Sequence, residues 1–519
     1  MRRTLLPIFV VYLILMAGVG SWGIPKPGRM FGYFMDEWHG TQALRAIVRH
    51  GTISVEGAAW GTLGYYLLEL LWIGPWVVTG VVNSDLITSP ATGLVEQGKM
   101  FMILRVSTWI WGLAGLYLAA RIGKERLKLG NMAVAGGVWL MMLSPAWLGF
   151  SSVYKYDVAV ATGILMFVYR MFVYADDPSR KNWWWAAVVA VMVMTIKISM
   201  IFLFALMGAG WWMFTLDKAK RWRELAGGAV IAVVIFICLG IPDVVFMGKG
   251  GQWDTWLKSV FVTRVADASN LVLGKHWMNF LFGEELGQIF GWMYALGIAG
   301  WGWWIVRGES KRRFLVIGGV VFVVSMLTMG IWGGGNRSMV VVPFLALGAM
   351  EVLNKLKWKW AIVGIVCWQM VMGLGWWAIK MGDDPREAAA GWMRRNIPRG
   401  SEVGIENIPI YQRLPDVLVS DFYGGQYEKE YEPEYKVREV YLENKDWPET
   451  VVIVNGDFEV KYLRESRKKE ILKRLADEGY VRVARFEPAW GWYSVFGDKL
   501  VWEMAGLTMI PAEISIFRK

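Results

Sequence analysis

Long apolar runs separated by short basic or glycine-rich breaks dominate the first 380 residues, and the pattern changes abruptly after residue 383. A helix crossing a bilayer needs about 20 mostly apolar residues, or fewer if it ends within the interface. The runs predict spans at 5–22, 100–121, 131–150, 158–175, 183–197, 198–215, 225–247, 286–306, 314–332, 338–354 and 360–380. A further stretch, 60–82, is interrupted by Gly64, Glu69, Gly74, Pro75 and Gly80.

Charge decides that last case. Lys and Arg gather between apolar runs as Lys124/Arg126/Lys128, Lys218/Lys220/Arg221/Arg223, Arg307/Lys311/Arg312/Arg313 and Lys355/Lys357/Lys359. Cytoplasmic loops carry such clusters under the positive-inside rule. With Arg2 and Arg3 inside, all four clusters fall inside only if 60–82 lies along the outer interface without crossing. The chain then makes about eleven crossings and its C-terminus lies outside. This topology also requires 183–215 to cross twice as two short helices with Lys197 at the outer turn. The expected architecture is a polytopic α-helical membrane protein of the plasma membrane, with residues 1–382 forming the membrane part and 23–99 an outer loop with interfacial helices.

Residues 383–519 read as a small extracytoplasmic α/β domain. Asp384 is placed as an N-cap, Pro385 at the first helical position and Glu387 closing a capping box, and Pro398 and Gly400 end the helix. Strands are expected at Glu402–Ile405, Val417–Ser420, Val451–Val454 and Val481–Phe486, with a helix near Lys461–Glu478. No glycine-rich phosphate loop occurs there, so chemistry is assigned to the membrane part.

Composition agrees. Only 19% of the 519 residues are charged, against about a quarter in soluble domains. The 33 Trp suit membrane–water interfaces. The net charge of +11 sits in the loop clusters, which argues against nucleic acid. Cys238 and Cys367 both lie in apolar runs, so no disulfide framework is expected. Leu5–Val19 follows two arginines but precedes no small-x-small cleavage site, and is read as an uncleaved first span.

Ionisable groups at membrane depth are costly and therefore informative. Tyr33-Phe-Met-Asp36-Glu37-Trp38-His39 follows the first span, with an amphipathic helical stretch after it. Adjacent carboxylates point different ways on a regular backbone, so one faces a site while the other helps fix the loop. Tyr154-Lys155-Tyr156-Asp157 lies at the outer end of the third span, where Asp157 could serve simply to cap the next helix. Lys197 is isolated in an apolar run, and Arg337 follows three glycines. The outer loop 248–285 adds His276 and Trp277. Together the outer face offers carboxylates, cations and aromatic rings. Cations suit a lipid phosphate and a carboxylate can take the proton of an incoming nucleophile.

This order of motifs resembles the GT-C superfamily of lipid-dependent glycosyltransferases, in the branch of protein mannosyltransferases and aminoarabinose transferases. The resemblance rests on Asp36-Glu37 in the first outer loop, Asp157 opening a span that ends with Tyr169-Arg170, Lys197 between two short helices, and Arg337 before Val341-Val-Pro343. The segment from Asp384 to Gly400 adds to it. It implies a sugar donor on polyprenyl or dolichyl phosphate, a protein, lipid or glycan acceptor, and inversion at the sugar carbon. Asp36 would be the base or the acid that positions the acceptor, Asp157 the second acid of the site, and Glu37 is grouped with them. Lys155, Lys197 and Arg337 would hold the phosphate, and Tyr154, His39, His276 and Trp277 would contact substrate. The family's proline pair after the acidic loop is replaced here by Trp60-Gly-Thr-Leu-Gly-Tyr-Tyr. Some members use a divalent cation; the first loop has no Asp-x-Asp, and no metal is expected to be required. The competing reading is a transporter or lipid flippase whose path the same charges would line. It would predict charges on both halves of a cavity and broken midplane helices.

Overall fold

The computed structural model describes residues 2–26, 29–30, 32–50, 63–84, 94–215, 218–240, 289–328, 338–406, 414–427, 431–455, 461–489 and 513–519. Each of the eleven apolar stretches carries a helix. In chain order the described helices begin with α1 (Arg2–Val19), α2 (Met35–His50), α3 (Leu63–Val78) and α4 (Leu94–Arg121), the last followed by a π-turn over Ile122–Arg126. Next come α5 (Asn131–Met142), α6 (Pro145–Ser151), α7 (Asp157–Asp176), α8 (Arg180–Met194) and α9 (Phe202–Phe214). The set in the apolar region ends with α10 (Lys218–Leu239), α11 (Trp292–Arg307), α12 (Ser310–Thr328), α13 (Val342–Lys355) and α14 (Lys359–Met381). Among the described residues four helices are long and apolar enough to cross a bilayer by themselves, or five counting one bent pair. The chain is a helical, multi-pass membrane protein.

That bent pair occupies the span expected over 131–150, as two helices rather than one straight one. Here α5 and α6 meet at 60°. The break has a local cause: the Ser144 hydroxyl accepts from Trp147 N at 3.2 Å, and Pro145 fills the first position of α6. A cap followed by proline starts a new helix rather than continuing the old one. Expected helix α3 buries Tyr65, Tyr66, Glu69 and Ile73, a stripe at helical spacing, and exposes Leu71 and Val78 on the other side.

Helix α7 separates the two ends of the bundle. It has 20 residues, which at 1.5 Å per residue is about 30 Å. At its Asp176 end all four basic clusters assemble. Arg126 and Lys311 both pair with Asp176, Arg312 pairs with Glu351 at 3.0 Å, Lys355 pairs with Glu351 at 3.6 Å, and Arg221 donates to Pro178 O. Asp157 lies at the opposite end. The charge segregation read from the sequence is thus present in three dimensions.

Close helix approach is set by glycine. A Cβ on Gly300 of α11 would come within 2.2 Å of Gly348 O on α13, and one on Gly297 within 2.8 Å of Leu345 O. Backbone cannot retreat as a side chain tip can, so small residues are required there. Gly302, two positions on, has nothing within 4 Å of its Cβ. Gly300→Leu is therefore expected to lower the unfolding temperature of the detergent-solubilised protein by several degrees, the consequence of overpacking worth about 1–3 kcal/mol or more. Gly302→Leu should leave it unchanged. Equal effects at both positions would refute the packing.

Beyond α14 the chain folds as α15 (Pro385–Asn396), β1 (Glu402–Ile405), α16 (Asp416–Tyr427), β2 (Lys436–Glu439), β3 (Thr450–Asn455), α17 (Lys461–Asp477), β4 (Val481–Phe486) and β5 (Glu513–Arg518). The strands form one sheet in the order β2-β1-β3-β5-β4, parallel from β2 to β3 and antiparallel from β3 to β4. Both faces are covered. Val452 and Val454 pack towards α15 and α16, while Val451 and Ile453 pack towards Ile471 and Leu475 of α17. Alternate burial on two faces is the period-2 signature of a central strand.

Two local expectations fail here. Val417–Ser420 is helical, inside α16, because Pro415 and Asp416 supply a helix start that outweighs the β-branched residues. Asp384 does cap α15, accepting from Arg386 N at 3.0 Å, but Glu387 does not close a capping box. Its carboxylate goes to Arg29 and Lys26 instead.

Candidate active site

Helix α7 starts with its acid already committed. Tyr156 occupies the N-cap position and Asp157 the first turn, so Asp157 is not the capping residue. Its Oδ1 accepts from Lys197 Nζ at 2.9 Å, and its Oδ2 faces Lys155 Nζ at 3.5 Å. All three side chains are buried, at 1% for Asp157 and 6% for each lysine. Lys197 reaches this point because the chain turns between α8 and a 3-10 turn at Ile198–Ile201, with Lys197 in extended conformation between them. Aromatic rings floor the cluster. Lys197 Nζ lies 5.0 Å from the centre of the Tyr156 ring, and Lys155 Nζ lies 5.0 Å from that of Phe34.

Phe34 brings in the acidic loop. Its neighbour Glu37 is fully buried and forms a bidentate pair with Arg105 of α4, at 2.7 Å to Nε and 2.7 Å to Nη2. Glu37 Oε1 also accepts from Tyr154 N at 2.6 Å. Arg105 Nη1 donates to Gly20 O and Trp22 O. One ion pair thus ties the end of α1, the start of α2, α4 and the segment before α7 together. Glu37 is the carboxylate that fixes the loop. Asp36 lies beside it in the first turn of α2, about 100° round the helix. The side chains of Asp36 and His39 lie outside the described residues, as do all of His276, Trp277 and Arg337.

Helix α3 closes another side. Tyr65 stacks on Tyr154 with ring centres 6.3 Å apart and meets Tyr156 edge-on at 6.0 Å. Tyr65 N donates to Thr195 O at 3.3 Å, next to the Lys197 turn. Trp60-Gly-Thr-Leu-Gly-Tyr-Tyr, noted for replacing the expected prolines, thus ends in two tyrosines packed on the site. The hydroxyls of Tyr65 and Tyr154 are buried beside one another and close to the Glu69 carboxylate.

Sequence reasoning missed Arg105, Glu69 and Lys380. Glu69 accepts from Ser107 Oγ at 2.7 Å. Lys380 is buried against the rings of Trp22 and Trp376, at 3.9 and 4.6 Å, and donates to Ser152 Oγ at 3.0 Å. The signal existed, since each is an ionisable residue inside an apolar run. No group of three or more His, Cys, Asp or Glu gathers as a metal-ligand set among the described residues.

The site can therefore do two things chemically. Two ammonium groups around one carboxylate, in a medium of low dielectric, attract an anion such as a phosphate. A carboxylate on the adjoining α2 turn could receive a proton if it reaches the same space.

No family model matches the chain, and no curated protein does. Solved structures similar to it include ArnT from Cupriavidus metallidurans bound to undecaprenyl phosphate, at 13% identity and a TM-score of 0.47, covering 98% of this chain and 97% of that one. Another is the Archaeoglobus fulgidus oligosaccharyltransferase tethered to an acceptor peptide, at 11% identity and a TM-score of 0.44, covering 79% of this chain and 62% of that one. A third is the arabinofuranosyltransferase AftD from Mycobacteria, at 12% identity and a TM-score of 0.44, covering 94% of this chain and 38% of that one. With TM-scores below 0.5 and identities of 13% or less, these likenesses assign neither a family nor an activity to the chain.

Proposed function

We propose that the chain is a membrane glycosyltransferase that moves a hexosyl or pentosyl group from a polyprenyl- or dolichyl-phosphate donor to a protein, lipid or glycan acceptor. The observation that carries this reading is the convergence of Lys155 and Lys197 on buried Asp157, packed against the loop that bears Asp36. Lys155, Lys197 and Arg337 hold the phosphate as it leaves and stabilise charge that grows in the transition state. Asp157 sets the two ammonium groups. Asp36 takes the proton of the acceptor hydroxyl or amine while that atom bonds to the sugar carbon. The bond from this carbon to the phosphate oxygen breaks on the opposite face, which inverts the centre. Tyr154, His39, His276 and Trp277 contact the sugar and its carrier. The reaction needs no metal in this reading, and the site faces the extracytoplasmic side of the plasma membrane.

Glu37, grouped with the acids in the sequence, supports the loop and does not react. Both of its oxygens are held by Arg105, and one also by Tyr154 N.

Lys197→Ala removes one charge-assisted contact to phosphate. Such contacts contribute about 1.5–3 kcal/mol, so the affinity for polyprenyl phosphate, titrated on the purified protein in lipid nanodiscs, should fall about 10- to 100-fold. Unchanged affinity would remove the phosphate from this cluster.

A further inference from the structure

The loop that carries the acids is gripped from two sides. From the segment just after α1, Gly23 O accepts from Tyr33 N at 2.7 Å, and Trp22 meets the Tyr33 ring edge-on at 5.4 Å. From the C-terminal sheet and its helices come more contacts. Tyr33 Oη donates to Asp416 Oδ2 at 3.1 Å, at the start of α16. The Arg386 guanidinium of α15 lies 3.2 Å from the centre of the Tyr33 ring and is itself held by Asp384 at 2.8 and 2.6 Å. Arg29 and Lys26 reach Glu387 at 2.5 and 2.9 Å.

Apolar packing joins in. Met30 is 7% exposed and belongs to the same apolar core as Ala389, Met393, Leu414, Val417 and Ile514. A residue of the first loop thus completes the core of an α/β unit more than 350 residues later in the chain.

The charges at this contact balance: Lys26, Arg29 and Arg386 against Asp384, Glu387 and Asp416. Apolar residues would join two layers at lower cost than ions taken out of water. What ions with fixed partners add is register. Burial pushes the Asp416 carboxyl up to about 7, against the pull of Arg29 and Arg386. Tyr33, at the centre, is three residues from Asp36.

We infer that the C-terminal α/β unit is a positioning element of the site: Tyr33, Arg386 and Asp416 form a clamp that sets where the first turn of α2 presents Asp36. These three are positioning residues and touch no substrate. The catalytic half of the inference rests on the proposed role of Asp36, while the mechanical half stands on the contacts alone.

Amide hydrogen exchange on the full-length protein in nanodiscs tests the mechanical half. Arg386→Ala is expected to speed exchange at residues 35–41 about tenfold, the range of local opening, with β3 and β5 as slow as in wild type. Arg395→Ala, an exposed residue on the same helix, is the control and should change nothing. Tyr33→Phe keeps the ring and removes only the hydroxyl's bonds to Asp416, at 3.1 Å, and Glu387, at 3.4 Å, so a smaller rise, about threefold, is expected. It decides the matter if Arg386→Ala loosens the sheet as well. Unchanged exchange at 35–41 in Tyr33→Phe, and in any Arg386→Ala protein whose sheet is intact, would overturn the clamp.

The catalytic half reads out in transfer kinetics. In Tyr33→Phe, kcat should fall severalfold with the donor KM unchanged, because Asp36 shifts while the phosphate cluster does not. A rise in KM with kcat intact would overturn it. Wild-type protein that transfers no sugar would refute the proposed function and leave the exchange result to judge the clamp.

Discussion

Asp36→Asn should reduce sugar transfer about 10³-fold, within the range of a lost general base, with donor affinity unchanged. Asparagine has nearly the same shape as aspartate but cannot take a proton, so the loop and the Glu37–Arg105 pair stay in place. The acceptor then attacks with its proton still attached. Both kcat and kcat/KM should drop together, the mark of an interaction made in the transition state. The check is steady-state transfer by the variant alongside titration of polyprenyl phosphate. Full activity would take Asp36 out of the mechanism; lost donor binding would make it part of the phosphate site.

Glu37→Ala should instead damage the fold. Arg105 and Glu37 are both 0% exposed, and removing one partner strands a charge with no water to receive it. Breaking such a pair costs about 3–5 kcal/mol, a large share of a stability of about 5–15 kcal/mol. Arg105 would keep Gly20 O and Trp22 O but lose its only described carboxylate, and Tyr154 N would lose its acceptor. The expected result is a sharp loss of folded protein after detergent extraction, or a much lower unfolding temperature in what survives. Asp383→Ala, at an exposed carboxylate close by in sequence to α15, should leave the midpoint unchanged. A Glu37→Ala protein as stable as wild type but inactive would turn Glu37 back into a reacting group.

These two adjacent acids show what was legible and what was not. The sequence places both in the first outer loop and notes that neighbours on a regular backbone diverge. It cannot say which one turns inward, because Arg105 is 68 residues away and nothing local links them. Lys197 and Asp157 are 40 residues apart; the charge pattern puts both on the same face, and their contact needs the turn after α8. The apolar helices themselves are readable, because the apolar runs are long and are bounded by charged or glycine-rich breaks. The break at Ser144-Pro145 was readable in principle, as both residues are start signals inside an apolar run. The β-branched Val417 and Val419 suggest a strand, but Pro415-Asp416 start a helix there. Docking of Met30 and Arg29 on α15 and α16 was beyond reach, because no local period encodes a contact between the first loop and the last third of the chain.

The central claim is that a sugar leaves a lipid phosphate at the Asp157 cluster. The most direct measurement reconstitutes the wild-type protein with a panel of polyprenyl-phosphate sugars and a mixed acceptor pool, and follows free polyprenyl phosphate and the anomeric configuration of the product. The account predicts release of polyprenyl phosphate in step with glycosylated acceptor for at least one donor, with the configuration inverted. Donor that crosses the bilayer intact, with no phosphate released, would contradict it and make the chain a carrier of the lipid.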